Sequence, residues 1–134
     1  MQPLLTTLRI DWSDLDSYAH VNNVSIIRFL QSARVTFWEQ SGLYESFEKY
    51  KKGPILVSTK CDFKKELHYP GTITIQTKVS RIGNSSFELH HFLQNESGDL
   101  SAEGFDTAVC YDFNKKEKYT IPDTLRAFME QHLE

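Results

Sequence analysis

Apolar and polar residues alternate with a period of two through most of the chain's second half. Ile55, Val57, Thr59, Cys61 and Phe63 form one such series, and Ile73, Ile75, Thr77 and Val79 mark a second within Thr72 to Ile82. Phe87, Leu89, His91 and Leu93 make a third, and Glu103 to Phe113 a fourth. Strict alternation puts every second side chain on one face, which is the signature of a half-buried strand. Pro70-Gly71, Gly83-Asn84-Ser85 and Asn95-Glu96-Ser97-Gly98 separate these runs, and the last two are short enough for hairpins. Leu4 to Trp12 reads as an earlier strand.

Between that first strand and the others the period changes. Residues from about Val24 to Ser41 fit a helix, with Gly42 as its stop signal. Ser25, Arg28, Ser32, Thr36 and Glu39 gather into one narrow polar stripe. Val24, Ile26, Ile27, Phe29, Leu30, Ala33, Val35, Phe37 and Trp38 occupy the remaining circumference, so the helix is expected to be wrapped by other structure. Gln31 and Arg34 fall inside the apolar sector, where polar groups need partners. A polar loop is expected from Glu45 to Gly53, and Ile121-Pro122-Asp123-Thr124 opens a terminal helix reaching about Leu133. Its Leu125, Phe128, Met129 and Leu133 recur at helical spacing and predict packing. The order is strand, buried helix, four strands, helix. It predicts an α+β fold: a five-stranded antiparallel sheet around one long central helix, plus a C-terminal helix. No repeat or linker divides residues 1–134, which read as one domain.

Composition narrows the function. Nine Phe, six Tyr and two Trp supply core volume for 134 residues, with 25% charged and 40% hydrophobic positions. If the central helix fills the interior, a sizeable ligand has to bind at an edge or between two copies. A formal net charge of −3 disfavours nucleic acid as the main partner. Lys49 to Lys52 and Lys115 to Lys118 are short and read as solvated surface. Met1 to Thr7 lacks the basic start and apolar run of a signal peptide, and no run of apolar residues is long enough to span a bilayer. Cys61 and Cys110 sit far apart in strand-like runs, as thiols of a cytoplasmic protein would, and predict no metal site. His90 and His91 fall on opposite strand faces, one exposed and one half-buried, and His68 near a turn reads as solvated.

Candidate chemistry concentrates between Asp14 and Asn23. Asp16 and His20 stand four residues apart, just before the helix, with Asn22 and Asn23 adjoining. A carboxylate can serve as nucleophile or general base, and an imidazole can orient it or carry a proton. The N–H groups that open a helix can stabilise an oxyanion. From composition alone, a turn shaped by Asp14 and Asp16 and capped by the two Asn residues accounts for the segment at least as well.

Asp16-Ser-Tyr-Ala-His20-Val-Asn-Asn23, followed by Phe29-Leu-Gln-Ser-Ala-Arg34, resembles the signature of hotdog-fold thioesterases. The resemblance is closest to the 4-hydroxybenzoyl-CoA thioesterase-like branch, and the Asp-x-x-x-His-Val-Asn-Asn piece is also similar to plant acyl-ACP thioesterases. It extends through Arg81 to Phe87, Ala102 to Gly104 and Tyr111 to Phe113. It implies a homodimer of hotdogs joined edge to edge, with active sites at the interface, and leaves a dimer of dimers (a homotetramer) open. Asp16 would activate water or attack the thioester, with His20 as its partner or orienting the carbonyl. Backbone N–H groups near Asn22 and Asn23 would bind the thioester oxygen. Arg81, Ser85 and Ser86 are candidates for the CoA phosphates, or form an ordinary hairpin turn. CoA would enter only as part of the substrate, with no other cofactor, no metal and no membrane partner.

Three departures from the family pattern are visible. Gln31 stands where relatives often carry Glu; it can position water or a carbonyl but cannot act as a carboxylate base. Tyr18 replaces the Asn usual in the acyl-ACP branch, and Ile26 replaces a frequent Tyr. Arg34 is expected in a structural ion pair or on backbone carbonyls. Tyr44, Phe47 and Tyr50 are assigned either to the core or to an acyl tunnel. A non-catalytic acyl-thioester binder is the alternative reading, and a hotdog dehydratase fits least.

Overall fold

A computed structural model describes residues 3–134. The chain order is β1 (Leu4–Arg9), a 3-10 turn (Trp12–Asp14), α1 (Asn23–Gln40), α2 (Leu43–Tyr50), β2 (Lys52–Phe63), β3 (Thr72–Ile82), β4 (Ser86–Gln94), β5 (Leu100–Asp112), β6 (Glu117–Lys118) and α3 (Asp123–Gln131). The strands form one antiparallel sheet in the order β1-β3-β4-β5-β2, with the two-residue β6 added beside β5. Five strands are thus joined by a short sixth, and α1 lies against the sheet as expected of a hotdog.

Period-two alternation explains the contact. Ile73, Ile75, Thr77 and Val79 on β3, Phe87, Leu89, His91 and Leu93 on β4, and Ala102, Gly104, Asp106, Ala108 and Cys110 on β5 are all buried. At Gly104 the helix comes so close that a Cβ would stand 2.9 Å from a Leu30 methyl, so no larger residue fits unless Leu30 moves.

The core falls into two clusters. Phe37, Val79, Phe87, Leu89, Ala108, Cys110 and Met129 belong to one, and Ile26, Phe29, Leu30, Ala33, Ile75, Leu93 and Ala102 to the other. Between them stand the polar inward residues Thr77, His91 and Asp106, with Gly104 beside them. Asp106 accepts from Arg34 Nη1 at 3.1 Å and from Thr59 Oγ1 at 2.8 Å, and pairs with His91 Nε2 at 2.7 Å. His91 Nδ1 meets Thr77 Oγ1 at 2.8 Å. Burial opposes ionisation of Asp106, but the His91 hydrogen bond and charge, Arg34 and Thr59 together hold its carboxyl below the ordinary value. Arg34 therefore makes the structural ion pair, with a carboxylate 72 residues away.

Several expectations are corrected. The helix is not wrapped all round: Val24, Ile27 and Val35 are exposed, as is Gln31, while Ser25 is buried. One helix face suffices for the concave sheet, so the opposite face stays outside despite its apolar residues. The loop expected at Glu45 to Gly53 is mostly α2. Gly42 (φ +87°) and Lys51 (φ +58°) adopt left-handed conformations at its two ends, and Leu43 is its buried anchor. Tyr44, Phe47 and Tyr50 lie on its exposed side and are not core. β1 stops at Arg9, and β5 begins at Leu100, earlier than Glu103. His91 is fully buried, and His90, stacked on Phe105, is mostly so, bonded to Glu103 and Glu134. Cys110 is a free buried thiol whose pKa burial pushes up to about 11, while Cys61 is half-buried and also free. Among the described residues no helix is long and apolar enough to cross a membrane.

Candidate active site

The segment between β1 and α1 is built around two aspartates with different tasks. Asp14 is buried and ties the segment together. Its Oδ2 accepts from the Asp11 amide at 2.8 Å, and its Oδ1 accepts from Ser25 Oγ at 2.9 Å and from the Arg28 guanidinium. Its carbonyl accepts both the Asn22 backbone amide (2.9 Å) and the Asn22 side-chain amide (3.1 Å). Asn22 Oδ1 in turn caps the helix by accepting from the Ser25 amide at 2.8 Å. The capping role read for the Asn pair thus belongs to Asn22, while Asn23 is the first residue of α1.

Asp16, by contrast, is exposed. Its Oδ1 accepts from the amides of Tyr18 (2.8 Å) and His20 (3.2 Å), and its backbone N–H donates to the His20 carbonyl at 2.8 Å. Ala19 closes this small knot in a left-handed conformation, φ +64°. One carboxylate oxygen is therefore fixed. Oδ2 has no protein donor among the described residues.

Asp16, His20 and Asn23 line a cleft of about 300 Å³ together with Val21, Ile26, Phe63, Lys64, Lys65 and Glu66. Three of the predicted residues therefore share one wall. The His20 ring makes no hydrogen bond to the Asp16 carboxylate, and its Nε2 lies 3.3 Å from Glu66 Oε2. The N–H of Asn22, expected to serve the thioester oxygen, is already committed to Asp14. The first-turn amides with no protein acceptor among the described residues are those of Asn23 and Val24.

The other predicted residues lie elsewhere in the protomer. Gln31 is eight residues along α1 from Asn23, about 12 Å by helical rise, and is not in the cleft wall. Arg81, Ser85 and Ser86 sit at the β3–β4 hairpin. Phe63 at the cleft is in register with Ala102, and Ala102 with Leu93, whereas the hairpin adjoins Phe87. Six residues of strand therefore separate the two places, roughly 20 Å. The Arg81 guanidinium is engaged with Glu88 and, at 3.1 Å, with Ser86 Oγ. Glu66, Phe63 and Lys64 were not legible as site residues, because nothing local links them to a loop more than forty positions earlier.

A helix seated in a curled antiparallel sheet, with a carboxylate loop at the helix start, defines a hotdog protein with a cleft suited to acyl-transfer chemistry. The family profile of the thioesterase-like superfamily matches residues 10–129, and the chain belongs to that superfamily. It is 24% identical over 127 residues to the long-chain acyl-CoA thioesterase FadM of Escherichia coli K12, covering 94% of this chain and 96% of that one. Among solved structures, a thioesterase superfamily protein from Jannaschia sp. CCS1 is 22% identical with a TM-score of 0.89, covering 98% of this chain and 94% of that one. SAV2348 of Staphylococcus aureus, solved in complex with CoA, is 13% identical with a TM-score of 0.89, covering 100% and 89%. At those identities the two structures speak for the fold.

Proposed function

We propose that the protein is a thioester hydrolase acting on acyl-CoA, with Asp16 as the carboxylate that activates water or attacks the thioester carbonyl. The observation that carries this reading is the Asp16 carboxylate, fixed through one oxygen by two backbone amides, in a cleft that opens at the start of α1. A thioester carbonyl placed there meets the Asn23 and Val24 amides, which can hold the developing oxyanion. His20, steadied by Glu66, orients the carbonyl from the same wall. Ile26 and Phe63 offer apolar surface to the acyl group, and Lys64 offers positive charge to the nucleotide. The FadM relationship agrees with this substrate class. The assay is thiol release from a panel of acyl-CoA chain lengths, run beside the same acyl groups on acyl carrier protein. Turnover of CoA esters is expected. Turnover confined to the carrier protein selects the acyl-ACP alternative, and thermal stabilisation by CoA esters without turnover selects the non-catalytic binder.

The same reading calls for a homodimer. β2 is a twelve-residue edge strand with exposed Val57, Thr59 and Lys60, an edge open to further pairing. Antiparallel pairing with the β2 of a second copy runs that strand in reverse. It brings the partner's β3–β4 hairpin toward this cleft, which reconciles the hairpin candidates with their distance in the protomer. Val57 is skipped by the register with β5 and lies near the middle of the strand. Val57→Asp is expected to shift the sedimenting species from twice 15.6 kDa to 15.6 kDa and to abolish hydrolysis. A fully active monomer would overturn the shared site.

A further inference from the structure

We infer that His20, Glu66 and His68 form a binding site for a divalent transition-metal ion of the zinc class. Ligand atoms of the three residues lie within 4.8 Å of one another. Glu66 Oε2 is 3.3 Å from His20 Nε2 and 4.0 Å from His68 Nε2. The imidazoles meet edge to face, with centroids 5.1 Å apart.

The backbone explains why they converge. Val21 N–H donates to the Leu67 carbonyl at 3.0 Å, stitching the segment after β2 to the loop that carries His20. Leu67 is buried at 2% exposure and points into the core. Its neighbours Glu66 and His68 are exposed. Both therefore flank one buried anchor beside His20.

The spacing suits coordination. Donors bound at about 2.0–2.1 Å around a tetrahedral ion stand about 3.4 Å from one another. The His20–Glu66 pair is already there, and rotation of the exposed Glu66 and His68 side chains closes the other separations. Two imidazoles and one carboxylate favour Zn²⁺, Co²⁺ or Ni²⁺ over Mg²⁺ or Ca²⁺, and leave a coordination position for water. An ion held here engages His20 beside Asp16, so occupancy should inhibit hydrolysis. That coupling rests on the proposed function, whereas ion binding does not.

The test titrates metal-free full-length protein with Co²⁺, followed by visible absorption, and with Zn²⁺, followed by calorimetry. One ion per chain with micromolar affinity is expected. His68→Ala should weaken binding at least about tenfold, leave hydrolysis in chelator unchanged, and raise the half-inhibitory Zn²⁺ concentration by a similar factor. His90→Ala, which removes the separate cluster with Glu103 and Glu134, should change none of these. Absence of uptake, or binding that survives His68→Ala but is lost in His90→Ala, overturns the site. Binding that depends on His68 without any inhibition upholds the site and overturns the role given to His20 in hydrolysis.

Discussion

Asp16→Asn is expected to lower kcat for acyl-CoA hydrolysis by about 10²–10⁴-fold, the range general-base groups supply, with KM little changed. The substitution keeps the shape of the side chain. An amide oxygen at the Oδ1 position still accepts from Tyr18 and His20, so the loop knot survives. What disappears is the charge on the second oxygen, the one that has to take a proton or attack. Circular dichroism and thermal unfolding should match the parent, which separates chemistry from folding. Turnover within threefold of the parent would remove Asp16 from the reaction. Asp14 behaves differently, because its carboxylate is spent on Asp11, Ser25 and Arg28, and its loss should loosen the start of α1.

Asp106→Ala is expected to destabilise the fold by about 3–5 kcal/mol, the usual consequence of removing one partner from a buried ion pair. Arg34 and His91 would be left without their shared acceptor, and Thr59 would lose its own. Urea unfolding at pH 7 reads this directly, and Tm should fall by about 10 °C or more. The pH dependence has a definite sign. A carboxyl held below its ordinary value of 3.8 contributes stability above that pH, and the contribution is lost as the pH falls through the lower folded value. Part of the parent's acid sensitivity below about pH 4 should therefore vanish in Asp106→Asn. Simultaneous replacement of Arg34, His91 and Asp106 by apolar residues of similar size should restore much of the loss, since desolvating charges offsets most of what their pairing contributes. An Asp106→Ala protein as stable as the parent would show that the network carries no net weight.

The strands were legible because period-two alternation reports a sheet with one buried face, and turn residues marked the hairpins. The candidate site was legible where it is local: Asp16, His20 and Asn23 lie within eight residues and share one cleft wall. The helix periodicity located α1 but misjudged its surroundings, because Val24, Ile27 and Val35 are apolar and exposed. Apolar character alone cannot separate a face that meets the sheet from one left for another surface. α2 escaped because a single buried Leu43 anchors it, too little to set a period. Glu66 escaped for another reason: its approach to His20 depends on the Val21–Leu67 hydrogen bond, a tertiary contact with no local signature.

The Thr77–His91–Asp106–Arg34 layer leaves the protein with two interiors instead of one. Substitutions in the Phe37 and Phe87 cluster should couple weakly to the Phe29 and Ile75 cluster, because among the described residues the buried apolar side chains form separate clusters on either side of the polar layer. The half beside the Asp16 cleft can then diverge while the half beneath α3 preserves the scaffold. Adaptation and robustness would then be assigned to different compartments under one sheet.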